Sequence, residues 1–155
     1  MPKDINFTVE NDRFNFRVAA YITHKDEMVV QKSSSVDFHN LSGGRVKMGE
    51  NTYQAIHREL KEELNLDITS PKLVMIAENN FMWEDKNVNE LLFIYHVELT
   101  EEQYNNVPSG MKIPDTEDET IFWVKKEKIN NLTCLPVLIY DLPKLDTTQI
   151  VHYIK

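Results

Sequence analysis

Between Gly43 and Leu66 the chain runs from a glycine pair through a short polar stretch into one long amphipathic segment, and this succession dictates how the rest must pack. Asn51 has the side chain of a helix N-cap, and Gln54, three positions on, can reach back to its N–H as in a capping box. Tyr53, Ile56, Leu60 and Leu64 then recur at helical spacing, which predicts a helix from Thr52 to about Asn65. On that helix the apolar residues share one side, while Glu59, Glu62 and Glu63 occupy a neighbouring sector about 100° wide. Glu59, Glu63 and Asp67 stand four apart. Like charges at that spacing each cost about 0.2 to 0.5 kcal/mol, and a face built for solubility alone would interleave lysine. Of these carboxylates, Glu62 alone has a basic residue four positions away, Arg58. Aligned carboxylates without counterions beside a glycine loop suit hard divalent cations, which take oxygen ligands and keep places for water and phosphate.

The flanking sequence is strand-rich. Arg13 to Ile22 and Glu27 to Gln31 carry aromatic and β-branched residues around a polar turn at His24-Lys25-Asp26, and a short strand is expected from Val36 to Leu41. Beyond the helix, Lys72 to Trp83 and Glu90 to Leu99 form a long hairpin turned at Glu84 to Asn87. Thr100 to Asp118 is polar, holds Pro108, Gly110 and Pro114, and is long for a connection, which suggests a mobile functional loop. A strand from Glu119 to Val124, a second helix around Leu135 to Leu142 and a terminal strand from Gln149 to Ile154 complete the expectation. Strands on both sides of a central helix imply an α/β fold, a mixed β-sheet with helices packed on it.

Composition narrows the functions. With 155 residues the chain is expected to form one domain, 1–155, with a core that needs no staple, and its single cysteine, Cys134, suits a reducing compartment. A formal charge of −8, from 25 acidic and 17 basic residues, argues against a nucleic-acid polymer as partner, because that binding relies on neutralising phosphates with Lys and Arg. It leaves room for a small phosphorylated ligand approached through a divalent cation. The first ten residues lack a signal-peptide core and no apolar run reaches membrane-spanning length, so the expected location is cytoplasmic, away from membranes.

The residues of the central stretch resemble the Nudix box: Gly44, five residues, Glu50, seven residues, Arg58-Glu59-Leu60, one residue, Glu62-Glu63, and then an apolar Leu66. Fixed residues at fixed offsets over that length are far more specific than a lone glycine motif. One position departs, Asn65 standing where the family has glycine; Asn is the next most tolerant residue for a left-handed helix end, so a small stability effect is expected. Ser42 stands where the family often has Pro. The resemblance implies a Nudix-like α/β/α sandwich and a hydrolase that cleaves the diphosphate linkage of a nucleoside diphosphate derivative by metal-activated water. It implies that Glu59 and Glu63 ligate Mg²⁺ or Mn²⁺, with Glu62 assisting and the Gly44 carbonyl as a further ligand. It also implies that Arg58 positions Glu59, that Glu50 is an outer partner, and that a further carboxylate comes from the loop before a late strand carrying a Trp. Here that strand holds Trp123, so Glu117 and Glu119 are the candidates, with Glu90 a weaker one.

Other features are less specific. Gly43, Gly44 and Gly49 are not a P-loop, since Glu50 and Asn51 replace its Lys and Ser or Thr. The five histidines have no ligand spacing. Arg17 and Arg45 are candidate phosphate ligands or surface ion pairs. Phe81 and Trp83 are candidates for stacking on a base, against the alternative of strand residues in the core. Those two also occupy the places where the family's ADP-ribose and dinucleoside polyphosphate hydrolases carry a proline and a tyrosine, which leaves nucleoside triphosphates and nucleotide sugars open. A second copy of the chain is an open partner, and a Nudix-like module that binds a nucleotide without cleaving it is the alternative reading. The intact set of Glu59, Glu62 and Glu63 favours the enzyme.

Overall fold

The computed structural model describes residues 2–116 and 118–155. Among them, eight strands form one mixed sheet: β1 (Asn6–Val9), β2 (Asp12–His24), β3 (Glu27–Lys32), β4 (Gly43–Arg45), β5 (Lys72–Trp83), β6 (Lys86–Glu98), β7 (Thr120–Lys125) and β8 (Val151–Ile154). The order is β7-β3-β2-β6-β5-β8, with β1 and β4 added along β2. The central contact is parallel, β2 on β6 from Asp12↔Asn87 to Thr23↔Glu98, while β5 and β6 form the antiparallel hairpin that the sequence indicates.

The two faces bury different partners. Val18, Ala20 and Ile22 of β2 join Ala55, Ile56, Leu60 and Leu64 of helix α1 (Thr52–Leu64) in one core, while Ala19 and Tyr21 join Ile129, Leu138, Ile139 and Leu142 in another. This is period-two alternation feeding two layers, and it makes the α/β sandwich. The second layer is built of two 3₁₀ helices, Lys126–Asn131 and Val137–Lys144, rather than the α-helix expected at Leu135 to Leu142. Pro136 bounds the longer one and Pro143 lies inside it, and a residue without an N–H breaks the i→i−4 ladder that an α-helix needs.

The other departures are non-local. Val36 to Leu41 is not a strand; within it, Asn40 bridges Gln31 and His39 bridges Cys134, while the strand itself is Gly43–Arg45, paired with Arg17 to Ala19. Strand β1 precedes the first expected strand and folds back on β2. The connection from Thr100 holds a short helix, α2 (Glu101–Asn105), and is pinned rather than free: Val107 and Ile113 are buried, Gly110 N–H donates to the Ile121 carbonyl, and the Trp123 indole donates to the Val107 carbonyl at 2.6 Å. No helix among the described residues is long and apolar enough to cross a membrane.

Candidate active site

Helix α1 begins as its residues require. The Asn51 side chain accepts from Gln54 N–H at 2.8 Å and the Gln54 side chain accepts from Asn51 N–H at 3.0 Å. It ends at Asn65, which takes the left-handed conformation (φ 53°, ψ 35°), and Leu66 N–H returns to the Leu60 carbonyl at 3.2 Å. Because the helix stops there, Asp67 leaves the carboxylate row and pairs instead with Lys61 at 3.1 Å. Tyr53, expected toward the core, is 45% exposed.

The glycines let β4 approach this helix. A Cβ on Gly44 would lie 2.3 Å from the Glu59 carboxylate, and one on Gly43 would lie 2.1 Å from the Val18 carbonyl oxygen, so neither position admits a side chain without displacement. Glu59 and Glu63 lie beside each other in one cleft with Gly43. Burial, and then the adjacent Glu59, push the Glu63 carboxyl up from 4.5 to about 8. Glu59 keeps 12% of its side chain exposed and receives the Arg58 guanidinium at 2.8 Å. Arg58 also forks onto Glu50 at 2.6 and 3.1 Å, reaches Glu62 at 3.3 Å, and donates to the Arg45 carbonyl at 3.0 Å. Hydrogen bonds from Arg58 hold the Glu50 carboxyl below its ordinary value, and donating to the Glu50 and Glu59 carboxylates raises the Arg58 guanidinium. Sequence spacing suggests a competition between Glu59 and Glu62 for Arg58; the fold gives it both, with Glu50 as the principal partner.

A cleft of about 320 Å³ brings Glu59, Glu62, Glu63 and Glu119 together, with Gly43 on one wall and Ile113 to Thr116 on another. Glu62 is the open member, its side chain 55% exposed. Glu117 lies outside the described residues. Beside Glu119, Asp118 accepts hydrogen bonds from Ser33 Oγ and from the N–H and hydroxyl of Ser34, which hold its carboxyl below the ordinary range. This clasp ties the acidic turn to the segment after β3. No three His, Cys, Asp or Glu side chains among the described residues are gathered into a ready ligand set. The donor chemistry nonetheless suits a hard divalent cation: two adjacent carboxylates, Glu59 and Glu63, in one cleft, and a glycine at which a side chain would fill the Glu59 carboxylate's place. A separate cleft of about 230 Å³, lined by Ile68, Lys72, His96 and Thr147 among others, contains none of these residues.

The remaining candidates lie on the other side of the sheet. Arg17 and Arg45 face each other across β2 and β4, on the face opposite α1. Like charges directly opposite are unfavourable, and the partners of Arg45 are the Asn15 side chain at 3.0 Å and Asp4 at 3.8 Å. Phe81 and Trp83 are 41% and 44% exposed rather than in the core, and Trp83 meets Phe38 edge-on at 6.3 Å. Glu90 lies inside β6, opposite Asn15 and Asn79, and not at the strand's beginning. That places it on the face away from α1 and takes it out of the set of candidate bases. Sequence reasoning passed over Asn15, Asn79 and Asp118; for the two asparagines the signal was a polar residue at an inward position of a strand.

The model for the NUDIX domain matches residues 13–139. Among solved structures, a mutator MutT protein from Bacillus halodurans superposes with a TM-score of 0.65 at 17% identity over 90% of each chain. A MutT protein from Methanosarcina mazei Go1 gives 0.59 at 21% identity, covering 88% of this chain and 94% of that one. The ORF135 protein of E. coli gives 0.58 at 21% identity, covering 88% and 91%. No curated protein sequence matches the chain. The structural likenesses establish the fold, and with the family match over most of the sequence the chain belongs to the NUDIX domain family, as a pyrophosphohydrolase of the Nudix type.

Proposed function

We propose that residues 1–155 form one domain that hydrolyses the diphosphate linkage of a nucleoside diphosphate derivative, a nucleoside triphosphate or nucleotide sugar, with Mg²⁺ or Mn²⁺. The observation that carries this reading is the adjacency of Glu59 and Glu63 in one cleft, with Gly44 against Glu59 and Glu59 oriented by Arg58. Glu59, Glu63, Glu62 and the Gly44 carbonyl would hold the cation. When bound, the cation supplies charge neutralisation for the diphosphate and acidifies the attacking water. The chain's own residues do the rest. Arg58 would fix the Glu59 carboxylate through a fork anchored on Glu50, and the half-exposed Glu62 or the cleft-lining Glu119 would take the water's proton. Glu117 stays a candidate for the same role. Arg17 and Arg45, on the far side of β4, would meet the part of the substrate that extends past the sheet edge, with Phe81 and Trp83 available to stack on it. A single buried cysteine, Cys134, supports a reducing, cytoplasmic setting.

The test is a panel of nucleoside triphosphates and nucleotide sugars with Mg²⁺ or Mn²⁺, reading release of phosphate or nucleoside monophosphate. Glu63→Gln should lower turnover about a hundredfold, on the order of 3 kcal/mol of transition-state stabilisation, with the fold retained. Glu119→Gln and Glu117→Gln should separate the two loop carboxylates. Parental rates in both single mutants and in their double mutant would assign the base to Glu62, and near-parental turnover in Glu63→Gln at saturating metal would remove Glu63 from the site.

A further inference from the structure

We infer that Asp118 is a positioning residue: clasped by Ser33 and Ser34, it holds the chain entering β7 in the register that aims Glu119 into the carboxylate cleft. The inference rests on the hydrolase reading above, in which Glu119 is a candidate to take the water's proton.

Strands β3 and β7 pair antiparallel from Glu27↔Lys125 to Lys32↔Thr120, where the ladder ends. Continued by two residues, the same register sets Ser34 opposite Asp118 and Ser33 opposite Glu119. Side-chain bonds take over at that point. Ser33 Oγ donates to Asp118 Oδ1 at 2.9 Å, Ser34 N–H donates to Oδ2 at 3.0 Å, and the Ser34 hydroxyl donates to the same oxygen. Ser33 Oγ also accepts from Ser35 N–H at 3.1 Å, which orders the serine turn. From the other edge, Ile113 N–H donates to the Glu119 carbonyl at 2.9 Å, so the chain at Glu119 is gripped on both sides.

Register decides where Glu119 points. Side chains alternate along an extended chain, and Ile121 and Trp123 pack in the core on the α1 side while Phe122 and Val124 pack on the other. Glu119, two residues before Ile121, falls on the α1 side, and the cleft that it lines holds Glu59, Glu62 and Glu63. Asp118 falls on the opposite side and does not line that cleft. A slip of one residue would exchange the two carboxylates. Electrostatics favours such a release: after burial and Glu59, the Glu119 charge also raises the Glu63 carboxyl, so the cluster repels Glu119 and something must hold it in place. Folding does not account for the clasp, since Ser34 is exposed and Asp118 only partly buried, and bonds between such groups add little to stability.

Steady-state kinetics on the nucleotide that the panel above identifies test this. Asp118→Ala should lower kcat about tenfold with KM within about twofold, and Ser33→Ala combined with Ser34→Ala should do the same. Ser34→Thr, which keeps the hydroxyl, should hold the parental rate. In a Glu119→Gln background Asp118→Ala should cost nothing further, since it acts through the carboxylate already removed, whereas a merely structural loss would multiply with it. Equal losses with and without Glu119, a loss confined to KM, or a parental rate in either Asp118→Ala or Glu119→Gln would each overturn the inference. Crystal structures of the parent and of Asp118→Ala add a readout without turnover: Glu119 should leave the cleft in the variant, and a side chain still beside Glu63 would overturn the inference whatever the kinetics. Glu119 displaced in the variant while the parent cleaves no nucleotide derivative under Mg²⁺ or Mn²⁺ would uphold the clasp and remove the hydrolase reading.

Discussion

Arg58 matches its five N–H donors to five acceptor contacts: two on Glu50, one each on Glu59 and Glu62, and one on the Arg45 carbonyl. A lysine keeps the charge but has neither the fork nor the planar spread. Arg58→Lys should therefore destabilise the protein by about 2 kcal/mol and loosen Glu59, which urea unfolding and a metal titration would register. An unchanged unfolding midpoint would mean that the fork is incidental. Glu63 carries the opposite kind of strain. Its folded pKa is raised from 4.5 to about 8, so between those values the folded state holds a proton that the unfolded chain releases. The associated stability is full below about 4.5 and is lost as pH rises toward 8. In chelator, Tm should fall across that window, and Glu63→Gln, which mimics the protonated form, should flatten the fall. A profile equally steep in the mutant would place the titrating group elsewhere.

Helix α1 shows which signals are local. Its capping box, its apolar spacing and its left-handed end all lie within Asn51 to Asn65, and the observed helix matches the expectation to within a residue. Asn65→Ala should cost about 1 to 2 kcal/mol because a Cβ-bearing residue without a local side-chain hydrogen bond resists φ of 53°. Asn65→Gly should stay within about 0.5 kcal/mol, since relief of that strain is offset by greater freedom in the unfolded chain. Thermal melts of the two variants decide it, and equal losses would show that the side chain matters for another reason. What the sequence hides is partner choice over distance. Strand β4 is three residues long and forms because Gly43 and Gly44 can lie against Val18 and Glu59, information held by other segments. The fork of Arg58 onto Glu50 spans eight positions through a loop, so helical spacing does not reveal it. Asn15, Glu90 and Asn79 come from strands that meet only in the sheet, and their row is invisible until the register is known. In the same way, the length and prolines of the segment from Thr100 suggest freedom, while burial of Val107 and Ile113 fixes it to β7.

The sheet separates Glu59, Glu62 and Glu63 on the α1 side from Asn15, Glu90, Asn79 and the two arginines on the other, with β4 joining the two. A net charge of −8 makes the carboxylate side costly to assemble without a counterion. An ion held by the folded cluster and not by the unfolded chain then stabilises by mass action, about 2.7 kcal/mol when its concentration is a hundredfold above Kd. For a domain of this size each kcal/mol corresponds to roughly 2 to 4 °C, so Tm should rise by about 5 to 10 °C in saturating Mg²⁺ or Mn²⁺ without nucleotide. The rise should be larger at pH 8 than at pH 6, because ligation requires Glu63 to give up the proton it retains at the lower pH. Scanning calorimetry at both pH values, with Glu63→Gln alongside, separates this site from weak cation binding to the acidic surface. A site-bound ion gives a pH-dependent rise that the mutant largely loses. If Tm rises equally in the parent and the mutant, or not at all, Glu59 and Glu63 are not a preformed metal site, and the cation must arrive with the substrate's phosphates.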